Sequence, residues 1–374
     1  MFEIYKICAI LFTFKLGQAN SSPTSKKLND HPSTDFNVPI TRSMACGSIR
    51  SLLVDENGEV HDCDEIGCEV VGLNEPIVSV SASGYCSYFL GVNGNAWSCD
   101  SNGQWDNGMI DNTRTNDGVL HKIPLTNITS IFATPAGCFF IAQNKEIYAI
   151  GRNDSRQLGL PKTANMVSAP TKIDIPPIYF IFGNNVATNF IDTYGNVWET
   201  DYHGDKPRCI VQCQPMRNGI RTNTSTRICI TTDGKMQEIV GSYGQLMPHH
   251  PYLPPIDKIC ASDNSQTFIY LDCEGKVWVR GEWDILTRFS YFEEPTKVEE
   301  LHDIVDIAIS DSGNYALFLN ENGELWTCGE SPLGKLPVST NSGWNKLMKC
   351  NLSFPVKTGY LRQKTKSARS VYCE

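Results

Sequence analysis

The chain has 374 residues, 41% hydrophobic and 20% charged, a globular composition that excludes a disordered chain and suits one closed array of small sheets as well as two compact cores. A formal net charge of −9 excludes broad contact with nucleic acid, because phosphate binding needs a basic surface that releases counterions. No stretch approaches the roughly 20 apolar residues of a membrane span.

Residues 1–35 read as a flexible leader or a weak signal peptide. An apolar run from Ile7 to Phe14 is followed by Asn20-Ser21-Ser22-Pro23-Thr24-Ser25 and Lys26-Lys27. The secretory reading has Gly17-Gln18-Ala19 as its cleavage site and sequons at Asn20, Asn127, Asn153, Asn223 and Asn351. Against it, Lys15 closes the short apolar run, and Glu3 and Lys6 cancel in charge. A cytoplasmic protein is expected, with secretion as the alternative.

From residue 36 to residue 352 one pattern recurs seven times: an apolar run, a turn, then a run ending in an aromatic. The copies lie at Leu52-Leu53-Val54 with His61, Tyr88-Phe89-Leu90 with Trp97, Phe140-Ile141-Ala142 with Tyr148, and Phe190-Ile191-Asp192 with Trp198. The rest are Ile228-Cys229-Ile230 with Gln237, where the aromatic is lost, Phe268-Ile269-Tyr270 with Trp278, and Ala316-Leu317-Phe318 with Trp326. Each is a β-hairpin whose turn glycine supplies positive φ: Gly58, Gly94, Gly195, Gly234, Gly275 and Gly323, with Lys145 at the equivalent place in the third copy. Over six intervals the turns are spaced by about 44 residues, the length of a four-stranded propeller blade. Apolar segments ahead of the hairpins, such as Ile128–Ala133, Ile178–Phe182, Ile256–Ala261 and Ile304–Ala308, are expected inner strands. Proline-led segments at Pro170 and Pro295 are expected edge strands. The fold expected is all-β, a seven-bladed β-propeller of four-stranded antiparallel blades. The N- and C-terminal segments close the ring, with 346–350 paired beside 38–45, and residues 353–374 form a C-terminal tail.

Trp97, Trp198, Trp278 and Trp326 are expected in blade-to-blade packing. No Cys-x-x-Cys pair occurs, so no metal site and no redox motif is expected, and the cysteines are expected mostly reduced. Cys63, Cys99 and Cys328 occupy equivalent repeat positions, too far apart around a ring to bond one another, and read as small buried apolar residues. His249-His250, beside Pro248 and Pro251, reads as an exposed turn. With no convergent acids, histidines or nucleophile, neither an enzyme nor a cofactor is expected.

The segment Gly151-Arg152-Asn153-Asp154-Ser155-Arg156-Gln157-Leu158-Gly159-Leu160 resembles the hallmark of regulator-of-chromosome-condensation repeats. Weaker echoes stand at Tyr243-Gly244-Gln245-Leu246 and Ser331-Pro332-Leu333-Gly334-Lys335-Leu336. That resemblance implies a protein-binding scaffold, with guanine-nucleotide exchange on a small GTPase among the activities it brings. A secreted propeller acting as an inhibitor or adhesion protein is the alternative. A monomer with a protein partner is expected. Partner binding is placed on the loops after the aromatic strands, at Trp105, Asp106, Asp201, Tyr202, His203, Asp205, Trp283 and Asp284, whose acids and aromatics suit a basic protein.

Overall fold

The computed structural model describes residues 39–48, 50–63, 68–84, 86–100, 120–163, 165–200, 204–212, 214–222, 226–241, 244–262, 267–283, 290–330 and 344–358. Among these the structure is all-β, with 28 strands in seven four-stranded sheets. Each sheet uses four consecutive strands, all antiparallel, and the blades span residues 44–71, 77–122, 128–172, 178–211, 216–248, 256–297 and 304–349. The first strand of each blade is the innermost: Met44–Cys46, Ile77–Ser83, Ile128–Thr134, Ile178–Gly183, Met216–Arg221, Ile256–Ala261 and Ile304–Ile309. Each inner strand lies against the next, and the seventh lies against the first, so the array is a closed ring. The outermost strands include Met166–Lys172 and Ser290–Lys297, where Pro170 and Pro295 cost no ladder bond to a further neighbour.

The hairpin joining the second and third strands is set by turn chemistry. Gly58, Gly94, Gly195, Gly234, Gly275 and Gly323 all have φ between 75° and 82°, and Lys145 adopts φ 67° in their place. In three blades an aspartate closes the turn. Asp192 Oδ1 accepts the amides of Tyr194 and Asn196, at 2.8 and 2.9 Å, and Asp272 and Asp55 do the same in their blades. The second oxygen takes an indole N–H: Trp198 Nε1 donates to Asp192 at 2.9 Å and Trp278 Nε1 to Asp272 at 3.0 Å. The aromatic position of the repeat is therefore a hydrogen-bonding position as well as a packing one. Both tryptophans, with Trp97 and Trp326, are half-buried against the apolar clusters, as expected from the repeat.

The core lies between blades rather than at the centre. Every apolar cluster joins neighbouring blades, as in Leu53, Leu317, Leu319 and Leu325 between the seventh and first, or Phe140, Leu90 and Ile131 between the second and third. A lone sheet has two apolar faces and buries both only by stacking. Hydrogen bonds repeat the stitching: the carbonyls of Gly58, Gly94, Gly195, Gly234 and Gly275 accept the first inner-strand amide of the following blade, from Ile77, Ile128, Met216, Ile256 and Ile304.

Closure uses both ends of the ring, but not by the pairing of 346–350 with 38–45. Trp344–Lys349 pairs with Leu325–Glu330 in its own blade, and Met44–Cys46 pairs with Ser51–Val54 in the first. The outer strand of a blade lies at its rim and the inner strand at the hub, so the two segments do not become neighbours when each blade is built from consecutive strands. The join is made by residues 354–357 instead. Val356 is fully buried, donates its amide to Gly323 O at 3.2 Å and bridges to Asp55. Lys357 N donates to Val54 O, and Phe354 stacks on His61 with ring centroids 3.5 Å apart.

Cys63 is disulfide-bonded, which corrects its reading as a plain apolar residue. Its Cα partner on the adjacent strand of the same blade is Cys68, so a cross-strand neighbour and not a repeat-equivalent position is within reach. Ten further described cysteines, including Cys99 and Cys328, are free. Burial pushes the Cys229 and Cys350 thiols up to about 12, which suppresses thiolate chemistry there.

Candidate functional site

Antiparallel pairing puts the turns between second and third strands on one face of the ring and the connections between third and fourth strands on the other. The first set is nearly uniform: 92–95, 143–146, 193–196, 232–235, 273–276 and 321–324 are equal in length. Connections on the opposite face range from 241–244 in the fifth blade to 101–119 in the second. Strand geometry fixes neither set, so the variable face is the one free to carry specificity.

Of the residues expected there, Trp105, Asp106, Asp201, Tyr202, His203 and Asp284 lie outside the described residues. Trp283 ends the strand Val277–Trp283, with Ser290 as its backbone partner; its side chain lies outside the description. Asp205 is exposed and forms an ion pair with Arg156 at 3.5 Å. That pair joins the connection of the fourth blade to the hallmark segment of the third.

The hallmark segment is held from within. Asn153 and Gln157 are fully buried. Asn153 Nδ2 donates to Pro161 O at 3.1 Å and its Oδ1 accepts from Leu158 N at 3.3 Å. Gln157 Nε2 donates to Asp154 at 2.8 Å and across the seam to Asn185 O at 3.3 Å. Leu158 and Leu160 sit in the core shared by the third and fourth blades. These residues shape a loop and span a seam; a buried, bonded Asn153 is also closed to glycosylation in the folded chain.

Beside this seam Glu199 is almost wholly buried between Arg221 and Arg227, and Arg227 Nη1 reaches both its oxygens at 3.0 Å. Arg221 also donates to Asn189 at 3.0 Å. Burial lowers the Arg221 pKa, and the Glu199 carboxylate opposes that shift. Arg221 also lines a cavity of about 190 Å³ at the hub, walled by inner strands from all seven blades.

His249 and His250 are not an exposed turn: their side chains are only 11% and 13% exposed. They pack at the seam of the fifth and sixth blades, rings 4.4 Å apart and within 6.5 Å of the buried Tyr270 ring. Desolvation there pulls His249 down to about 3. The flanking Pro248 and Pro251 are exposed, as a solvent turn requires, whereas the two imidazoles turn inward.

One acid–histidine group has metal-like spacing, Asp55, Glu59 and His61. It occupies the turn where Asp192 and Asp272 hold indoles, with His61 Nε2 3.5 Å from an oxygen of Asp55 at the position equivalent to those aromatics. Repeat structure accounts for the cluster without an ion.

The fold defines a class, the seven-bladed β-propeller, and it is shared with solved structures of the regulator-of-chromosome-condensation type. The chain is similar to Prp20p from Saccharomyces cerevisiae, at 14% identity and TM-score 0.63 over 93% of this chain and 100% of that one, a structure described with its binding to Gsp1p and histones. Yeast RCC1 (Prp20) bound to Kap60 is similar at 12% identity and TM-score 0.63, over 96% and 99% of the two chains. Human WBSCR16 is similar at 15% identity and TM-score 0.60, over 73% and 85%. No family model matches the sequence, and no curated protein matches it.

Proposed function

We propose that this chain is a protein-binding propeller scaffold that presents the face of variable connections to a protein partner, with nucleotide exchange on a small GTPase as the first activity to test. The carrying observation is the asymmetry of the ring: turns of nearly uniform length on one face, connections from 241–244 to 101–119 on the other. A propeller selects partners through loops that its strands leave free to vary. The likeness to Prp20p, described with Gsp1p and histones, supports a small GTPase as the first partner to test. The net charge of −9 favours a basic protein over nucleic acid.

Release of a fluorescent guanine nucleotide from a Ran-type GTPase tests this reading. Acceleration by the chain, reduced by substituting Asp205 or Trp283 while the melting temperature holds, is the expected outcome. Unchanged release, with no binding in a direct titration, would remove exchange from the proposal. The cytoplasm is the proposed location, in keeping with ten free cysteines. The disulfide at Cys63 favours the second reading, a secreted inhibitor or adhesion propeller. Sequencing the mature N-terminus separates them, since cleavage after Ala19 selects secretion.

A further inference from the structure

The hub cavity carries cationic side chains toward one end. At one end residues 39–43 cross it: Ile40 N donates to Ser130 Oγ at 3.1 Å in the third blade. Arg42 N donates to Ser79 Oγ at 3.0 Å and Arg42 O accepts from Val80 N at 2.9 Å in the second. Toward the other end the walls are the last residues of the inner strands, among them Ser83, Thr134 and Arg221, with Asp311 just beyond. The Arg42 guanidinium lies inside, 5.5 Å from the ring centre of Phe132 and 5.7 Å from that of Phe180. It makes no ion pair and no hydrogen bond among the described residues, although a guanidinium has five donors.

Among the described residues the charges around it do not cancel. Asp306 is buried and bonded to Lys258, which leaves one carboxylate for two cations, Lys258 and Arg42. Toward the rim Glu199 is shared by Arg221 and Arg227, while Asp311 accepts from Gly84 N. Aromatic faces hold a cation in place but leave its N–H groups unspent. A volume of about 190 Å³ is several times what one water needs, on the order of 15 Å³ in the same measure. Burial lowers the Arg42 pKa, with Asp306 opposing that shift, so a desolvated cation here gains from a counter-charge.

We infer that the cavity binds a small oxyanion, a carboxylate or phosphate, whose oxygens take the Arg42 donors while Lys258 adds its charge. The planar fork of arginine matches such a group in two parallel hydrogen bonds. The site does not depend on the partner or on exchange activity.

The test is thermal unfolding of the full chain, titrated with sodium phosphate and, separately, sodium acetate, at constant ionic strength held with sodium chloride. Wild type is expected to show a saturable rise in melting temperature, and Arg42→Met to lose it while melting no lower than wild type without added anion. Melting that rises without saturation, or equally in Arg42→Met, overturns the site. A folded Arg42→Met that melts well below wild type without added anion also overturns it, because Arg42 would then serve as counter-ion to Asp306, whose Oδ2 has no hydrogen-bond partner. If Arg42→Met does not fold, calorimetric titration of wild type with phosphate decides: saturable binding of one anion per chain supports the site, and no heat of binding overturns it.

Discussion

Two side chains show how the repeat tolerates divergence. Lys145 holds φ 67°, where six equivalent turns use glycine, and a residue with a Cβ is strained there by about 1–2 kcal/mol. Part of that strain is offset by the entropy a glycine adds to the unfolded chain, so Lys145→Gly is expected to raise stability by roughly 1 kcal/mol in urea unfolding. In the second blade the aspartate that closes the turn is replaced by Gly91. A Cβ at Gly91 would fall on the Glu75 side chain, and Glu75 supplies the missing carboxylate, accepting Asn93 N at 2.9 Å and Asn95 Nδ2 at 2.6 Å. The pair should therefore be coupled. Glu75→Ala is expected to cost about 0.5–1.5 kcal/mol by removing those bonds, one exposed and one half-buried, and Gly91→Asp alone to destabilise by crowding. The double variant recovers most of the loss; additive losses in the cycle would show that Glu75 does not stand in for the aspartate. The hairpin's own residues do not reveal this substitute, because Glu75 lies outside the hairpin.

At the scale of strands and seams, the packing of the fifth blade on the sixth makes stability depend on pH. His249 is held at about 3, below the usual 6.5, because burial disfavours its charged form; the His250 pKa is lowered by the same cause. The unfolded chain binds this proton as pH falls through 6.5, and the folded chain does so only near 3. The contribution of His249 is therefore complete above about pH 6.5 and is lost below it, by up to about 1.4 kcal/mol for each pH unit. Melting temperatures from pH 7.5 to 5.0 should fall more steeply for wild type than for His249→Gln. Equal slopes would mean that the ring is solvated. Hairpins and inner strands were read from the sequence because alternation and turn chemistry act within about ten residues. The burial of His249 and His250 was not, since it depends on Tyr270 and Arg280 of the next blade.

For the whole molecule the decisive interaction is the join between the seventh and first blades. The carbonyls of five turn glycines accept a hydrogen bond from the next inner strand, while that of Gly323 accepts from Val356, beyond the last strand. Residues 354–357 thus do for the first blade what an interblade connection does elsewhere. Truncation after Leu352 removes the buried Val356 and the ring of Phe354 stacked on His61, and is expected to destabilise by roughly 3–5 kcal/mol. Hydrogen exchange should then accelerate first in Met44–Cys46 and Ile304–Ile309. Uniform exchange across the ring would show that the seam is no weaker than the others.

By itself the sequence determined the number of blades, the hairpin in each, the inner and edge strands and the recurring aromatic position, because each is written in contiguous residues through alternation, β-propensity and positive φ. Tertiary structure alone decided which residues close the ring, that Glu75 replaces an aspartate, that His249 is dry, that Cys63 is bonded, and that Arg42 stands in the hub. Each of these depends on juxtaposition: Arg42 meets Phe132 and Phe180 from two other blades, and Val356 meets Gly323 and Asp55 across the join. A repeat specifies its own sheet through local chemistry, whereas a hub or a seam is made from residues far apart in the chain, whose positions are set only once the ring has closed.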